Sequence, residues 1–449
     1  MIGPPEAAPA NGAPRILFLA LADDVGSDRV VADVGRHGAL CAVMAPPGYH
    51  CAATQFAALH IPLPRHRGLW RGALAVRGRL EAALRDWSPD LVVPLDDMAG
   101  WLLRSLAADL RTSPALSELL RLSLGAVERQ SALDTRLGLM VLARDCGVAV
   151  PEFGVATEPS EAPSGFPIVV KLDHTCGGAG ISIVPDTAGL RAALAADERR
   201  RKGWIGQLRQ AAKAWLWRRA GSRTMVQAPP LLQGFIPGRP AMHTVAAWQG
   251  RVLAGFSLVA ESVHPEPTGA STAVRHVQHT GMAAATASLV RALGCSGLVS
   301  CDFVLREADG LAVLIEMNAR PVGSGHLGRV FGQDLVEALL AALRGRPLPV
   351  PQERPEGTVV ALFPKELARD PDSPRLQPGA AALHDVPWDD PPLIAHYLGW
   401  LGQQQPRRMA DIRRRLGQAE TQGRPGAVGA TRRGPAVPWP GGQGAAPGA

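Results

Sequence analysis

No cysteine pair in this chain has CxxC spacing, and the closest two of its six cysteines, Cys295 and Cys301, have no histidine at metal-ligand spacing. That argues against a zinc ribbon or finger. With Cys41, Cys51, Cys146 and Cys176 they read as reduced, mostly buried thiols. No apolar run approaches the ~18 residues of a membrane span. The opening MIGPPEAAPANGAPR has no basic stretch leading into an apolar one, so a secretory leader is not expected. A Walker A loop is absent, and no GxGxxG follows the first apolar run. Lysine is scarce beside arginine, while alanine, glycine and proline abound, a bias of genome composition rather than of function. The expectation is a soluble, cytoplasmic protein.

At 449 residues, 46% hydrophobic and 19% charged, the chain can bury several cores, and its length suggests two to four structural units. The net charge is +7, with much of the excess near residues 199–223 and 407–433. Nucleic acid and small phosphate-bearing molecules are both partners for such charge, and charge alone does not choose.

Apolar runs at 15–21, 39–46 and 91–95 alternate with helical stretches near 27–37 and 72–86. This alternation predicts a parallel sheet covered on both faces, a small Rossmann-like unit over 1–115. Asp96 and Asp97 follow the third run directly. Either they line a ligand crevice at the strand ends, or one caps the next helix. Residues 128–146 read as a helix and 148–155 as an edge strand. FPIVVKL (166–172), HTCGGAG (174–180) and ISIV (181–184) form a hairpin-like unit. Strands are expected at 242–249 and 252–261, a helix at 281–293, a second hairpin at 301–318 and a helix at 333–344. TVVALF (358–363) suggests one more strand in an appendage over 349–401, and the Arg/Gly/Pro-rich tail 402–449 is expected to be disordered.

Two of these stretches carry chemistry. Lys171 ends a buried strand, and Gly177, Gly178 and Gly180 follow in a turn. Such a layout suits phosphate, through a point charge and close backbone approach, or is simply a glycine-rich turn. In the second hairpin Asp302 lies on one strand, while Glu316 and Asn318, two apart on the other, share a face. Two carboxylates and an amide oxygen suit Mg²⁺ held jointly with nucleotide phosphates. The plainer reading pairs Glu316 with Arg320.

Together these residues resemble the ATP-grasp fold. GLVSCDFVLREADGLAVLIEMNARP (297–321) is similar to the metal-binding hairpin of biotin carboxylase and its relatives. The resemblance implies an α/β and α+β protein, in which an N-terminal Rossmann-like unit precedes a two-lobed ATP-grasp domain. The first lobe covers 116–230 with a basic insertion at 198–223, and the second covers 231–348. It implies ATP and Mg²⁺ (or Mn²⁺) as cofactors, with Asp302, Glu316 and Asn318 as metal ligands and Arg320 as a catalytic or substrate-binding arginine. Lys171 would contact phosphate, with Gly177, Gly178 and Gly180 as the flap. Arg136 stands where relatives carry a second phosphate-binding lysine, so the contact changes geometry. LLQGFIPGR (231–239) is similar to the interlobe hinge: Gln233 replaces the usual acid, and Gly234, Phe235 and Ile236 lie along the adenine edge. PTGASTAVR (267–275) looks like acceptor-site lining, with Arg275 as a second catalytic candidate beside Ser271 and Thr272. His326 is a further possible donor to substrate.

The implied activity is ATP-dependent activation of a carboxylate as an acyl phosphate, then its joining to an amine or other nucleophile. Alternatives are a phosphotransferase on the same fold, or a degenerate nucleotide-binding module. Implied partners are small carboxylate and amine substrates, with no specific nucleic acid, and a homodimer is compatible with the resemblance. The basic stretch 198–223 reads as a connecting helix in preference to a membrane or nucleic-acid surface.

Overall fold

The computed structural model describes residues 12–64, 70–155, 165–172, 180–202, 215, 229–352, 355–422 and 437–438. Most of the basic stretch 198–223, together with Cys176, Gly177 and Gly178, lies outside them.

Strands β1 (Arg15–Leu19), β2 (Leu40–Ala45), β3 (Ala57–Pro62) and β4 (Leu91–Pro94) form the N-terminal sheet. Its order is β16-β3-β2-β1-β4, with the two-residue β16 (Val437–Pro438) added in parallel on the β3 edge. All its pairings are parallel. The RILFL run is buried except at Arg15 because helices cover both faces: α1 (Ser27–Arg36) on one, α2 (Trp70–Asp86), α3 (Asp97–Ala107) and α4 (Pro114–Leu124) on the other. Sequence reasoning missed β3 and α4. Helix α4 straddles the expected boundary at 115 and packs Leu116, Leu120 and Leu124 into the N-terminal core.

The stretch 128–146, expected to be one helix, is a 3-10 segment (Val127–Asp134) followed by α5 (Arg136–Asp145). Thr135, extended at φ −140°, interrupts it and caps α5 by accepting from the Gly138 N–H. A small antiparallel sheet follows, in the order β5-β8-β6-β7, from β5 (Phe153–Val155), β6 (Ile168–Lys171), β7 (Ile181–Val184) and β8 (Leu231–Gly234). Helix α6 (Thr187–Lys202) covers the face that carries Ile168 and Val170.

The large sheet has the order β13-β12-β9-β10-β11-β14-β15. Its strands are β9 (Gly238–Trp248), β10 (Arg251–His264), β11 (Ala270–Val277), β12 (Gly297–Arg306), β13 (Ala312–Asn318), β14 (Val359–Ala361) and β15 (Leu383–His384). One face packs Val245, Val299, Cys301 and Phe303 against α5 and α7 (Thr280–Leu293). The other packs Ala246, Leu258 and Leu298 in the core shared with α1 and α8 (Leu335–Leu343). The N-terminal unit thus docks on the second face.

Helices α9 (Lys365–Arg369), α10 (Pro391–Gln404) and α11 (Met409–Gln422) close the described structure. Residues 402–422, expected within a disordered tail, are ordered: Ile412 and Leu416 on α11 pack with Tyr397 and Leu401. Two apolar anchors one turn apart suffice to hold an Arg-rich helix to a core. Among the described residues no helix is long and apolar enough to cross a membrane. Cys41, Cys51, Cys295 and Cys301 are buried free thiols, and Cys146 is a half-buried one.

Candidate functional site

In the β12–β13 hairpin Asp302 lies directly opposite Glu316, and Ser300 opposite Asn318. Residues opposite each other share a face, so both carboxylates project together, a repulsive pair without a cation between them. The Asn318 amide donates to Asp302 Oδ2 at 3.1 Å. Burial, reinforced by the facing Glu316, pushes the Asp302 carboxyl up to about 7, against the pull of Arg320 and Lys171. The three expected ligands therefore converge, and their oxygens suit a hard divalent ion.

Lys171 ends β6 on the face opposite Ile168 and Val170, which the strand alternation turns away from α6. It is 4% exposed, and its Nζ donates to the Ile315 carbonyl at 3.0 Å. Burial lowers its ammonium to about 8; Glu316 and Asp302 oppose the shift, and Arg136 adds to it. Arg136, the first residue of α5, donates Nε to the Leu172 carbonyl at 3.2 Å and sets Nη1 3.1 Å from Glu316 Oε1. Three elements thus meet: the small sheet brings Lys171, the helix start brings Arg136, and the hairpin brings the acids. The plainer alternative, a Glu316–Arg320 pair, is not what forms: Glu316 pairs with Arg136.

Arg320 instead reaches across to the N-terminal unit. It donates to Asp97 through Nε at 2.7 Å and Nη2 at 3.1 Å, and its Nη1 lies 3.5 Å from Asp24. Asp24 and Asp97 sit beyond the carboxyl ends of β1 and β4, the crevice edge of a parallel sheet. Asp96 is the cap and brace of that edge: its carboxylate accepts from Ala99, Leu21 and Ala22 N–H groups at 2.9, 2.7 and 3.0 Å. Burial raises its pKa to about 6. Of the two readings of the Asp pair, the cap holds for Asp96, while Asp97 pairs with Arg320 at the strand-end edge.

Arg275 is not brought to this site. The cross-strand row Glu316–Asp302–Met242–Leu258–His276 defines one face, and Phe303–Ala241–Val259–Arg275 lies on the other. Three strand steps also separate it from Asp302, about 14 Å. Its Nε donates to Glu261 at 2.8 Å and its Nη1 to Gly357 O at 3.1 Å. Thr272 donates to the buried Glu366 at 2.6 Å, a structural role, and Ser271 lies half-buried near the start of β11. His326 places Nε2 3.0 Å from Asp385, which also pairs with Arg29.

In the segment expected to be the hinge, Gln233 is 1% exposed and donates its amide to Met140 Sδ at 3.0 Å, so it faces helix α5 rather than open space. The Gly234 N–H donates to Glu152 O and the Phe235 N–H to Pro167 O. The Phe235 ring is 38% exposed and Ile236 half-buried. Gly180 sits at φ +74°, and its carbonyl accepts from the Leu172 N–H at 2.9 Å. Gly177 and Gly178 lie outside the described residues.

Sequence reasoning passed over Asp24 as a partner of Arg320, and it did not single out Lys365. A Cβ on Gly323 would lie 3.3 Å from Lys365 Nζ, and burial lowers the Lys365 pKa while Asp24 and Asp28 raise it. The doublet Asp23-Asp24 after a buried strand was the available signal. Nothing local marks Lys365.

No family model matches the chain, and no curated protein matches it in sequence. Among solved structures it is similar to biotin carboxylase from Campylobacter jejuni in complex with β-γ-ATP, at 14% identity, covering 78% of this chain and 74% of that one, with a TM-score of 0.55. It is likewise similar to the biotin carboxylase domain of Hydrogenobacter thermophilus 2-oxoglutarate carboxylase with MgADP, ADP and bicarbonate. There the identity is 14%, the coverage 77% and 73%, and the TM-score 0.53. The carboxyaminoimidazole ribonucleotide synthase of Aspergillus clavatus, complexed with ATP, matches at 15% identity, 77% and 81% coverage and a TM-score of 0.52. At these identities the likeness establishes the fold.

Proposed function

We propose that this chain, built on the ATP-grasp fold, is an ATP-dependent ligase that activates a carboxylate and joins it to an amine or another nucleophile. The observation that carries the reading is the Asp302–Glu316 pair, two facing carboxylates with Asn318 beside them and Lys171 and Arg136 within reach. Such a pair fits a divalent cation, because Asp302 is held near neutrality by burial and by Glu316, a penalty that a bound cation relieves. Asp302, Glu316 and the Asn318 oxygen would hold Mg²⁺ or Mn²⁺, which supplies charge neutralisation on the nucleotide phosphates.

The chain's own residues do the rest. Lys171 and Arg136 present a point charge and a planar fork to the phosphates of ATP. Arg136 gives up its contact with Glu316 as the phosphate takes its place. Arg320, held by Asp97 and Asp24, stands at the junction of hairpin and N-terminal crevice, where it orients the carboxylate or the acyl phosphate made from it. The second substrate enters from the carboxyl edge of the parallel sheet. The remaining backbone of the hinge segment Gln233–Ile236 lies along the adenine, with Gln233 acting only through packing.

The test is calorimetric titration of ATP with Mg²⁺ into wild type, Glu316→Ala and Lys171→Ala. Binding by wild type that both variants lose supports the reading, and ADP release in the presence of acid–amine pairs then identifies the ligation. Folded wild-type protein that binds no ATP overturns it.

A further inference from the structure

Helix α1 and the start of α8 meet through three side chains remote from the hairpin in sequence. Asp33 and His37 are four residues apart, so they lie on one face at the C-terminal end of α1. Asp334 caps α8, its Oδ1 accepting from the Glu337 N–H at 2.9 Å and its Oδ2 left facing His37 Nε2 at 2.9 Å. One ligand atom from each of Asp33, His37 and Asp334 falls within 4.8 Å of the others.

Two further observations point to a ligand. Asp33 is 3% exposed, and its Oδ1 has no hydrogen-bond partner. An orphaned buried carboxylate oxygen is costly: burial raises the Asp33 pKa, and His37, Arg329 and His326 oppose the shift only through space. His37 Nδ1 donates to the Asp33 carbonyl at 2.8 Å. A backbone carbonyl on one ring nitrogen is how metal-binding histidines are oriented, leaving the other nitrogen for the ion.

We propose that Asp33, His37 and Asp334 form a site for a borderline divalent cation such as Zn²⁺, clamping the N-terminal unit to α8. One imidazole and two carboxylates favour zinc over magnesium, which seeks oxygen ligands alone. The ion takes the place of the Nε2 proton now shared with Asp334, releases that proton to solvent, and gives Asp33 Oδ1 the partner it lacks. Water completes a tetrahedral set. The site is separate from the nucleotide reading and stands without it.

The experiment titrates the chelator-stripped full chain, free of nucleotide, with Zn²⁺ against a chromophoric chelator, and records the visible spectrum with Co²⁺. One equivalent is expected in wild type. Asp33→Asn and His37→Gln should each weaken it by at least the 10–100-fold that loss of even an outer-shell partner costs. Zn²⁺ should raise the melting temperature of wild type and not of Asp33→Asn. The Asn variant keeps the His37–Asp334 pair, so it decides the matter if His37→Gln does not fold. Absence of stoichiometric binding overturns the proposal. So does binding unchanged in Asp33→Asn, or a Co²⁺ spectrum of thiolate ligation, which would assign the metal to cysteines.

Discussion

Arg320 and Asp97 stand 223 residues apart in sequence and meet as a two-pronged ion pair, 2.7 and 3.1 Å, between the end of the β12–β13 hairpin and the edge of the parallel sheet. Arg320 is 11% exposed at its side chain, whereas Asp97 is 56% exposed. Removing Asp97 therefore strands a mostly buried cation, which keeps the Pro321 carbonyl at 3.2 Å and, as its nearest anion, Asp24 at 3.5 Å. Removing Arg320 leaves an anion that water can reach. Under the ligase reading Arg320→Lys loses the planar fork and lowers turnover by about 10²–10³, the usual cost of one preorganised donor. Mg²⁺–ATP affinity stays within a few-fold of wild type, because Lys171 and Arg136 are untouched. Single-turnover ADP release alongside calorimetry separates the two effects. Equal loss of binding and turnover would remove Arg320 from the acceptor side.

Lys171 supplies a pH dependence. Burial lowers its pKa from 10.5 to about 8 in the nucleotide-free protein. Under the ligase reading phosphate binding needs the ammonium, so below about pH 8 Lys171 adds no pH dependence to ATP affinity, and the fall expected on the acid side, through about 7, belongs to Asp302. Above about pH 8, binding must take up a proton, and affinity falls towards tenfold per pH unit. For folding the sign follows from the lowered value: the buried cation opposes the native state below pH 8, and that penalty fades as pH rises. Calorimetry between pH 7 and 9.5 in buffers of different ionisation enthalpy reads the proton uptake directly. Lys171→Arg, whose charge does not titrate, should bind less tightly yet without the alkaline fall.

What the sequence made legible follows from the range over which each signal acts. Asp302, Glu316 and Asn318 are tied by a five-residue connection and by strand alternation, so their common face was readable locally. Lys171 was readable for the same reason. The face of Arg275 was not, because it depends on register carried through β12, β9, β10 and β11 in succession. Gln233 was assigned a nucleotide contact by analogy, and only the tertiary position of Met140 shows its amide turned into the core. The Arg320 partner lies in another unit of the chain. Helix α11 escaped notice because its Arg-rich composition hides two anchors, Ile412 and Leu416.

Gly26 tests how closely the N-terminal unit must approach the loop after the hairpin. It sits at φ +100°, and a Cβ there would lie 2.9 Å from the Cα of Gly323. Its N–H donates to the Tyr397 hydroxyl at 3.1 Å. Gly26→Ala combines an unfavourable dihedral with a backbone clash, and should cost about 1–3 kcal/mol from the dihedral alone. Gly38→Ala is the control, with φ +81° and open space around its Cβ, so it carries strain without a clash. Denaturant midpoints should fall further for Gly26→Ala than for Gly38→Ala. A larger loss in Gly38→Ala would show that strain, and not the contact with Gly323, dominates.

Glu366 offers a separate prediction for acid stability. Its side chain is fully buried and gathers Arg369 at 2.6 Å, Ser373 at 2.6 Å and Thr272 at 2.6 Å, binding α9 to β11. Burial alone would raise its pKa, but these donors outweigh it and hold the carboxyl at about 2, below the ordinary 4.5. The stabilisation is fully present above the unfolded value and is lost as pH falls through about 2. A shift of this size corresponds to roughly 3 kcal/mol at neutral pH. Glu366→Gln keeps the shape but puts an amide nitrogen among donors, leaving one hydroxyl or guanidinium N–H without an acceptor. The variant should therefore be less stable at pH 7, and the gap should narrow by more than half as urea midpoints are followed down to pH 3. A gap that stays constant over that range would mean the carboxylate charge contributes nothing, and that the loss is one of packing.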